Sequence, residues 1–158
     1  VRGLLEGVLE FVETELERVQ AEVSWEGAEA CWALGDPELL ERVFLNVIMN
    51  ALQALESAPA PRRIRVRVGT RTEAAEAAVC LVEIQDSGAG VPPEAREQIF
   101  RPYQTSRAGG TGLGLALARS IVLEHGGRIE VGDAGEPLGG ALMRIQLPAT
   151  SAPEHEHG

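Results

Sequence analysis

Gly110-Thr111-Gly112-Leu113-Gly114-Leu115 runs straight into the helical pattern of Ala116–Leu123. Three glycines at spacing two leave a row of backbone N–H groups uncovered. A helix N-terminus adds partial positive charge at the same place. Such a stretch is a phosphate cradle made of main chain alone. It does not fit the dinucleotide fingerprint, which is G-x-G-x-x-G directly after a strand. Here the spacing is G-x-G-x-G, and a polar loop, Phe100–Gly110, comes before it. A polar loop of this length flanked by glycine reads as a ligand lid. Within it Thr105, Ser106 and Arg107 offer two hydroxyls and a guanidinium beside the cradle.

Two further signals lie upstream. Arg42, Asn46 and Asn50 recur every four residues and share one polar side of an otherwise apolar helix. Asparagine is a poor helix former, so two of them there ask for a reason. A carboxamide oxygen suits one position on Mg²⁺, an ion that takes its other ligands from phosphates and water. Asp86-Ser87-Gly88-Ala89-Gly90 follows a strand pattern. Its carboxylate can accept from an exocyclic amine, and its glycines let a flat ring approach the main chain. The same residues also suit a plain turn.

Composition narrows the classes. The 158 residues read as a single domain with a formal charge of −10. That balance excludes a general nucleic-acid surface, which needs clustered positive charge. Arg63, Arg65 and Arg67 alternate with Ile64, Val66 and Val68, the pattern of a strand with one solvated charged face. All fourteen basic residues are arginine. Absence of lysine removes the P-loop, the strand lysine of eukaryotic-type protein kinases and Schiff-base chemistry. Phosphate handling therefore falls to arginine, backbone N–H groups or a metal. Cys31 and Cys80 match no metal or redox spacing and read as separate buried thiols in a reducing compartment. No apolar run reaches the length of a membrane span.

Along the chain, the apolar spacing predicts an amphipathic helix over 3–20 and a strand pair or short hairpin over 22–34. Asp36-Pro37 opens a helix to about Glu56, with Asp as N-cap and Pro at its first position. Strands follow over 63–69 and 78–85, a glycine-proline loop over 86–93 and a short helix over 94–99. A third long helix spans 111–125, ended by Gly126 as a left-handed cap. Strands over 128–132 and 141–147 close the pattern. His125 reads as a structural cap of helix carbonyls, while His155 and His157 lie in a polar tail over 150–158 expected to be disordered. Strands and helices without regular alternation argue for an α+β sandwich.

The order of these motifs resembles the ATP-binding catalytic domain of bacterial sensor histidine kinases, in the Bergerat-fold group with DNA gyrase and the heat-shock chaperone ATPases. Phe44-Leu45-Asn46-Val47-Ile48-Met49-Asn50-Ala51-Leu52-Gln53-Ala54 is similar to the family's N box. Asp86–Gly90 resembles its G1 box, Phe100-Arg101-Pro102-Tyr103 its F box and Gly110–Leu115 its G2 box. Gly139-Gly140 before the last strand resembles the weaker final glycine signal. Asn-Ala-Leu-Gln-Ala fits the nitrogen-regulator-like subgroup. Tyr103-Gln104 stands where an aromatic pair is usual, and Arg107 replaces a frequent lysine.

The resemblance implies a two-layer α/β sandwich, with a mixed sheet of about five strands, three long helices and an ATP lid. The catalytic domain would occupy 1–149. Asn50 would hold Mg²⁺ on the phosphates of ATP, and Asn46 would contact phosphate or metal-bound water. Asp86 would take the adenine amino group, with Gly88 and Gly90 closing over the base. Tyr103 belongs to the lid. Thr105, Ser106, Arg107, Gly110, Thr111, Gly112, Leu113, Gly114 and Leu115 would line the phosphates. Relatives that hydrolyse ATP carry Glu at the place of Asn46, so asparagine there favours phosphoryl transfer over hydrolysis. The acceptor histidine would sit on a dimerisation domain of the same protein, absent from this chain, with a response regulator downstream. The chain then reads as an excised cytoplasmic domain, preceded in the full protein by that hairpin and a sensor region. Two alternatives are a non-catalytic nucleotide-sensing module and an anti-sigma-factor-type serine kinase.

Overall fold

Asp36 and Pro37 start the helix that organises the molecule. In a computed structural model, which describes residues 1–27, 30–72, 77–103 and 112–152, the Asp36 carboxylate accepts from the N–H groups of Glu38 (2.9 Å) and Leu39 (3.3 Å). Pro37 takes the first helical position, where its missing N–H costs nothing. The helix, α3, runs Pro37–Glu56 and buries Leu40, Val43, Phe44, Val47, Ile48, Ala51, Leu52 and Leu55. Each large apolar side chain buried this way contributes about 1.5–3 kcal/mol.

The expected N-terminal helix is two, α1 (Arg2–Phe11) and α2 (Glu13–Val19). The chain leaves helical geometry at Val12, yet Leu5, Val8, Val12 and Val19 are all buried. The apolar period survives the break, which is why the sequence pattern does not reveal it. Where the sequence suggests a strand pair or short hairpin over 22–34, the described residues form one strand, β1 (Ala21–Glu26), and an isolated bridge from Ala33 to Ala149. Cys31 is buried for a different reason. It pairs with Cys80 as a disulfide, Cα atoms 5.7 Å apart, where the sequence suggested separate thiols.

Strands β2 (Arg62–Arg71), β3 (Val79–Asp86), β4 (Arg128–Asp133) and β5 (Ala141–Pro148) complete a five-stranded mixed sheet of order β1-β2-β3-β5-β4. Only β1 and β2 run parallel. Ile64, Val66, Val68, Cys80, Val82, Ile84, Met143, Ile145 and Leu147 face the helices and form the core with them. On the opposite face, Glu26, Arg67, Glu83, Arg144 and Glu130 stand side by side in register across all five strands. Arg144 lies 2.9 Å and Arg67 3.6 Å from the buried Glu83 carboxylate. The arginine alternation in β2 is thus the solvated face the sequence suggests, knitted to acids on its neighbours.

The expected helix over 94–99 is two single 3-10 turns, Pro93–Ala95 and Gln98–Phe100. The last helix, α4, spans Gly114–Glu124, beginning later than Thr111. Gly112 holds φ +69 just before it, outside helical geometry. Gly126 (φ +72) ends α4 in the left-handed conformation, as its sequence position suggests. Thr150, assigned to the tail, donates its N–H to the Trp32 carbonyl at 2.7 Å.

Candidate nucleotide site

Helices α3 and α4 lie antiparallel, and the chain fixes both ends of the pair. At one end the Asp36 N–H donates to His125 Nε2 at 3.1 Å. Nε2 must then be the unprotonated nitrogen, so Nδ1 carries the proton and donates to the Ile121 carbonyl at 2.7 Å. His125 is therefore a neutral clamp between the N-cap of α3 and the last turn of α4. At the other end Asn46 meets Gly114. A Cβ on Gly114 would stand 3.2 Å from Asn46 Oδ1, tighter than an ordinary contact. The third glycine of the G-x-G-x-G run is thus what lets the start of α4 approach the asparagine face. Among the described residues no side chain caps the N-terminus of α4, and its first turn carries no acid to oppose an anion there.

Asp86 ends β3 and is 3 % exposed. Its Oδ1 accepts two main-chain N–H groups, from Gly88 at 2.9 Å and from Ala141 at 3.2 Å. Among the described residues nothing donates to Oδ2, which remains an acceptor for a ligand. Burial raises the Asp86 carboxyl above its usual range, while the two N–H groups pull it partly back.

The loop after Asp86 is held by close approaches. A Cβ on Gly88 would meet Ala54 Cβ at 2.9 Å and the Ala54 carbonyl at 3.0 Å, so the loop rests on the C-terminal part of α3. Gly90 holds φ +77 and packs over Gly140. Gly140 admits no side chain at all: a Cβ there would overlap the Asp86 main-chain oxygen and Oδ1 and stand 2.7 Å from the Gly88 nitrogen. The sequence marks Gly140 only as a weak terminal glycine. Its part in seating Asp86, and those of Ala54 and the Ala141 amide, depend on tertiary proximity that spacing does not encode.

The structure thus brings Asn46, Asp86, Gly88, Gly90 and Gly114 to α3 or its partners, with Asn50 one turn from Asn46 along the same side. Asn50 is half-buried. Leu115 packs against the core, whereas Leu113 is exposed at the start of α4. Tyr103 (φ +63) is exposed, and its N–H donates to the Gly112 carbonyl at 2.9 Å, drawing together the two ends of the expected lid. Thr105, Ser106, Arg107, Gly110 and Thr111 lie outside the described residues. The described residues contain no cluster of three His, Cys, Asp or Glu able to hold a metal. An ion here would need ligands from the substrate, which suits a neutral asparagine oxygen as one donor.

The family described as "Histidine kinase-, DNA gyrase B-, and HSP90-like ATPase" matches residues 35–151. The nitrogen regulation protein NtrY of Azorhizobium caulinodans is 41% identical over 116 residues, covering 72% of this chain and 14% of NtrY. The solved structure of the mycobacterial sensor histidine kinase MprB superposes with TM-score 0.72 at 31% identity, over 94% of this chain and 93% of that one. Full-length ShkA, solved in complex with AMPPNP, superposes with TM-score 0.77 at 27% identity, over 96% of this chain and 30% of ShkA. The chain therefore spans only a fraction of the length of its full-size relatives. The family model covers most of the chain, and the chain belongs to the histidine kinase-, DNA gyrase B- and HSP90-like ATPases.

Proposed function

We propose that this chain is the ATP-binding catalytic domain of a sensor histidine kinase and delivers the γ-phosphoryl group of Mg·ATP to a histidine on a separate dimerisation domain. The observation that carries this reading is the line of contacts along α3. Its Ala54 end supports Gly88, which is hydrogen-bonded to Asp86, and its Asn46 end meets Gly114. The two ends are about 12 Å apart at 1.5 Å per residue, a span suited to an adenine at one and phosphates at the other. Asp86 Oδ2 accepts from the adenine amino group. Asn50 and Asn46 serve the metal and phosphates, and the leading amides of α4, with Gly110 and Gly112, cradle phosphate oxygens. Magnesium, when bound, neutralises phosphate charge.

A lone pair on one ring nitrogen of the acceptor imidazole forms the N–P bond. The bond from Pγ to the bridging oxygen breaks, and its electron pair leaves with ADP. The proton on the other ring nitrogen passes to solvent. The domain contributes positioning and charge stabilisation rather than covalent chemistry. Asn46 has no basic carboxylate with which to activate water, so transfer outruns hydrolysis. A response regulator is the downstream phosphate acceptor. Residues 1–149 form the domain, and the described residues contain no helix long and apolar enough to cross a membrane.

The test is transfer of labelled γ-phosphate from ATP to the joined acceptor domain. Acid-labile, base-stable phosphoprotein is expected. ATP binding without phosphohistidine supports the nucleotide-sensing alternative, and base-labile phosphoserine on an added protein supports the serine-kinase alternative.

A further inference from the structure

Arg42 lies one turn before Asn46 on α3, on the side that carries Asn46 and Asn50. It is exposed and makes no ion pair or hydrogen bond among the described residues, even though Glu38 stands one turn earlier, at ion-pair spacing. Other arginines behave otherwise: Arg18, Arg65, Arg67, Arg96, Arg119 and Arg144 all pair with acids. An unpaired exposed arginine alone is an ordinary solvated side chain. Its place along α3 and the charge balance of the site give this one more weight.

Helix α3 runs from the base end to the phosphate end of the proposed site. Ala54 lies under Gly88, whose N–H donates to Asp86, and Gly114 meets Asn46. Continuing about 6 Å beyond Asn46 along the same axis reaches Arg42. That is the far side of the phosphates, where the terminal phosphoryl group meets its acceptor. The charge balance points the same way. Apart from Arg42, the described residues gathered at the site carry one charged group, the carboxylate of Asp86, and the chain has no lysine. A triphosphate carries several negative charges, and charge spreads over the terminal oxygens as the group transfers.

We propose that Arg42 is a catalytic residue whose guanidinium contacts the γ-phosphoryl oxygens during transfer. This rests on the function proposed above. A guanidinium fits the role because its planar fork donates two parallel hydrogen bonds to phosphate oxygens and never loses its charge. Contact made mainly as the group moves raises the rate of transfer and leaves ATP affinity largely unchanged.

The experiment compares wild type, Arg42→Gln and Arg42→Lys in the full-length protein. Mg·ATP affinity is measured by calorimetry, and single-turnover phosphohistidine formation with saturating labelled ATP. The side chain touches nothing that holds the fold, so unchanged melting temperatures confirm intact variants. The expected result for Arg42→Gln is an ATP affinity within about twofold of wild type and transfer slower on the order of 10²-fold, the loss typical of one charge-stabilising donor. Arg42→Lys, which keeps the charge and loses the fork, is expected to fall between the two. Transfer by Arg42→Gln at the wild-type rate overturns the proposal, as does a loss of transfer wholly accounted for by weaker ATP binding. If wild type neither binds nor transfers, the functional reading itself fails, and that outcome is distinct from a silent Arg42→Gln.

Discussion

At the scale of single residues, Asp86 carries two opposing pH dependences. Its carboxyl is raised above the ordinary range mainly by desolvation. A raised folded value means that the stability it contributes is fully present below the unfolded value of about 3.9 and is lost as pH rises through the folded value. Asp86→Asn is therefore expected to leave the melting temperature at pH 7 equal to or above that of wild type. Nucleotide binding runs the other way, because the ionised carboxylate is the better acceptor for an amine. ATP affinity should fall on acidification through the raised value, with a midpoint above that of an ordinary aspartate in calorimetric titrations across pH. Gly140 is the second residue with a sharp consequence. Gly140→Ala places a methyl against the Asp86 main chain, so β5 or the Asp86–Gly90 loop must move. Overpacking of this kind costs about 1–3 kcal/mol. Gly132, also on the sheet, has open space where its Cβ would go. Gly132→Ala should bind ATP as wild type does, while Gly140→Ala weakens binding at least tenfold by calorimetry.

At the scale of elements, the α3–α4 pair and the outer face of the sheet each have a test. His125→Phe keeps a ring of similar size beside Gly35, but deprives the Asp36 N–H of its partner and leaves the Ile121 carbonyl with only the main-chain N–H of residue 125. The expected loss is about 0.5–1.5 kcal/mol in urea unfolding. On the outer face, Arg144→Ala removes the closer partner of the buried Glu83 and leaves Arg67 at 3.6 Å. Stranding a buried carboxylate should cost about 1–3 kcal/mol, whereas Arg2→Ala, which breaks an exposed pair with Glu6, should change stability by less than about 1 kcal/mol. The elements differ in how far the sequence discloses them. Asp36-Pro37 is read directly because an N-cap is a local hydrogen-bonding device, and the structure shows both bonds. Helix α4 begins later than its periodicity suggests, since Gly112 leaves helical geometry before Gly114. The apolar Cys31 and Ala33 mimic a second strand but are held by long-range partners, Cys80 and Ala149. A sequence window contains no trace of either partner.

At the scale of the whole molecule, the helices cover one face of a five-stranded sheet, and the other face is a row of alternating charges. The α3–α4 pair spans the site on the covered side. Family membership is legible in the sequence, and the residues proposed to contact ATP stand out because glycine, asparagine and aspartate have local chemical uses there. Asn46 and Asn50 interrupt an apolar helix, and Asp86 follows a strand with glycines behind it. What seats these residues, Ala54 under Gly88 and Gly140 under Asp86, is set by packing between elements far apart in the chain. The central claim is that one site along α3 holds ATP with its base on Asp86. Calorimetry with Mg·ATP on wild type and Asp86→Asn tests it most directly. With Oδ1 occupied by two N–H donors, the new amide presents its NH₂ to the adenine amine, donor against donor. The account predicts binding by wild type and a loss of about 10- to 100-fold in Asp86→Asn, corresponding to 1–3 kcal/mol, with the melting temperature not lowered. No binding by wild type, or equal affinity in the two proteins, would contradict it.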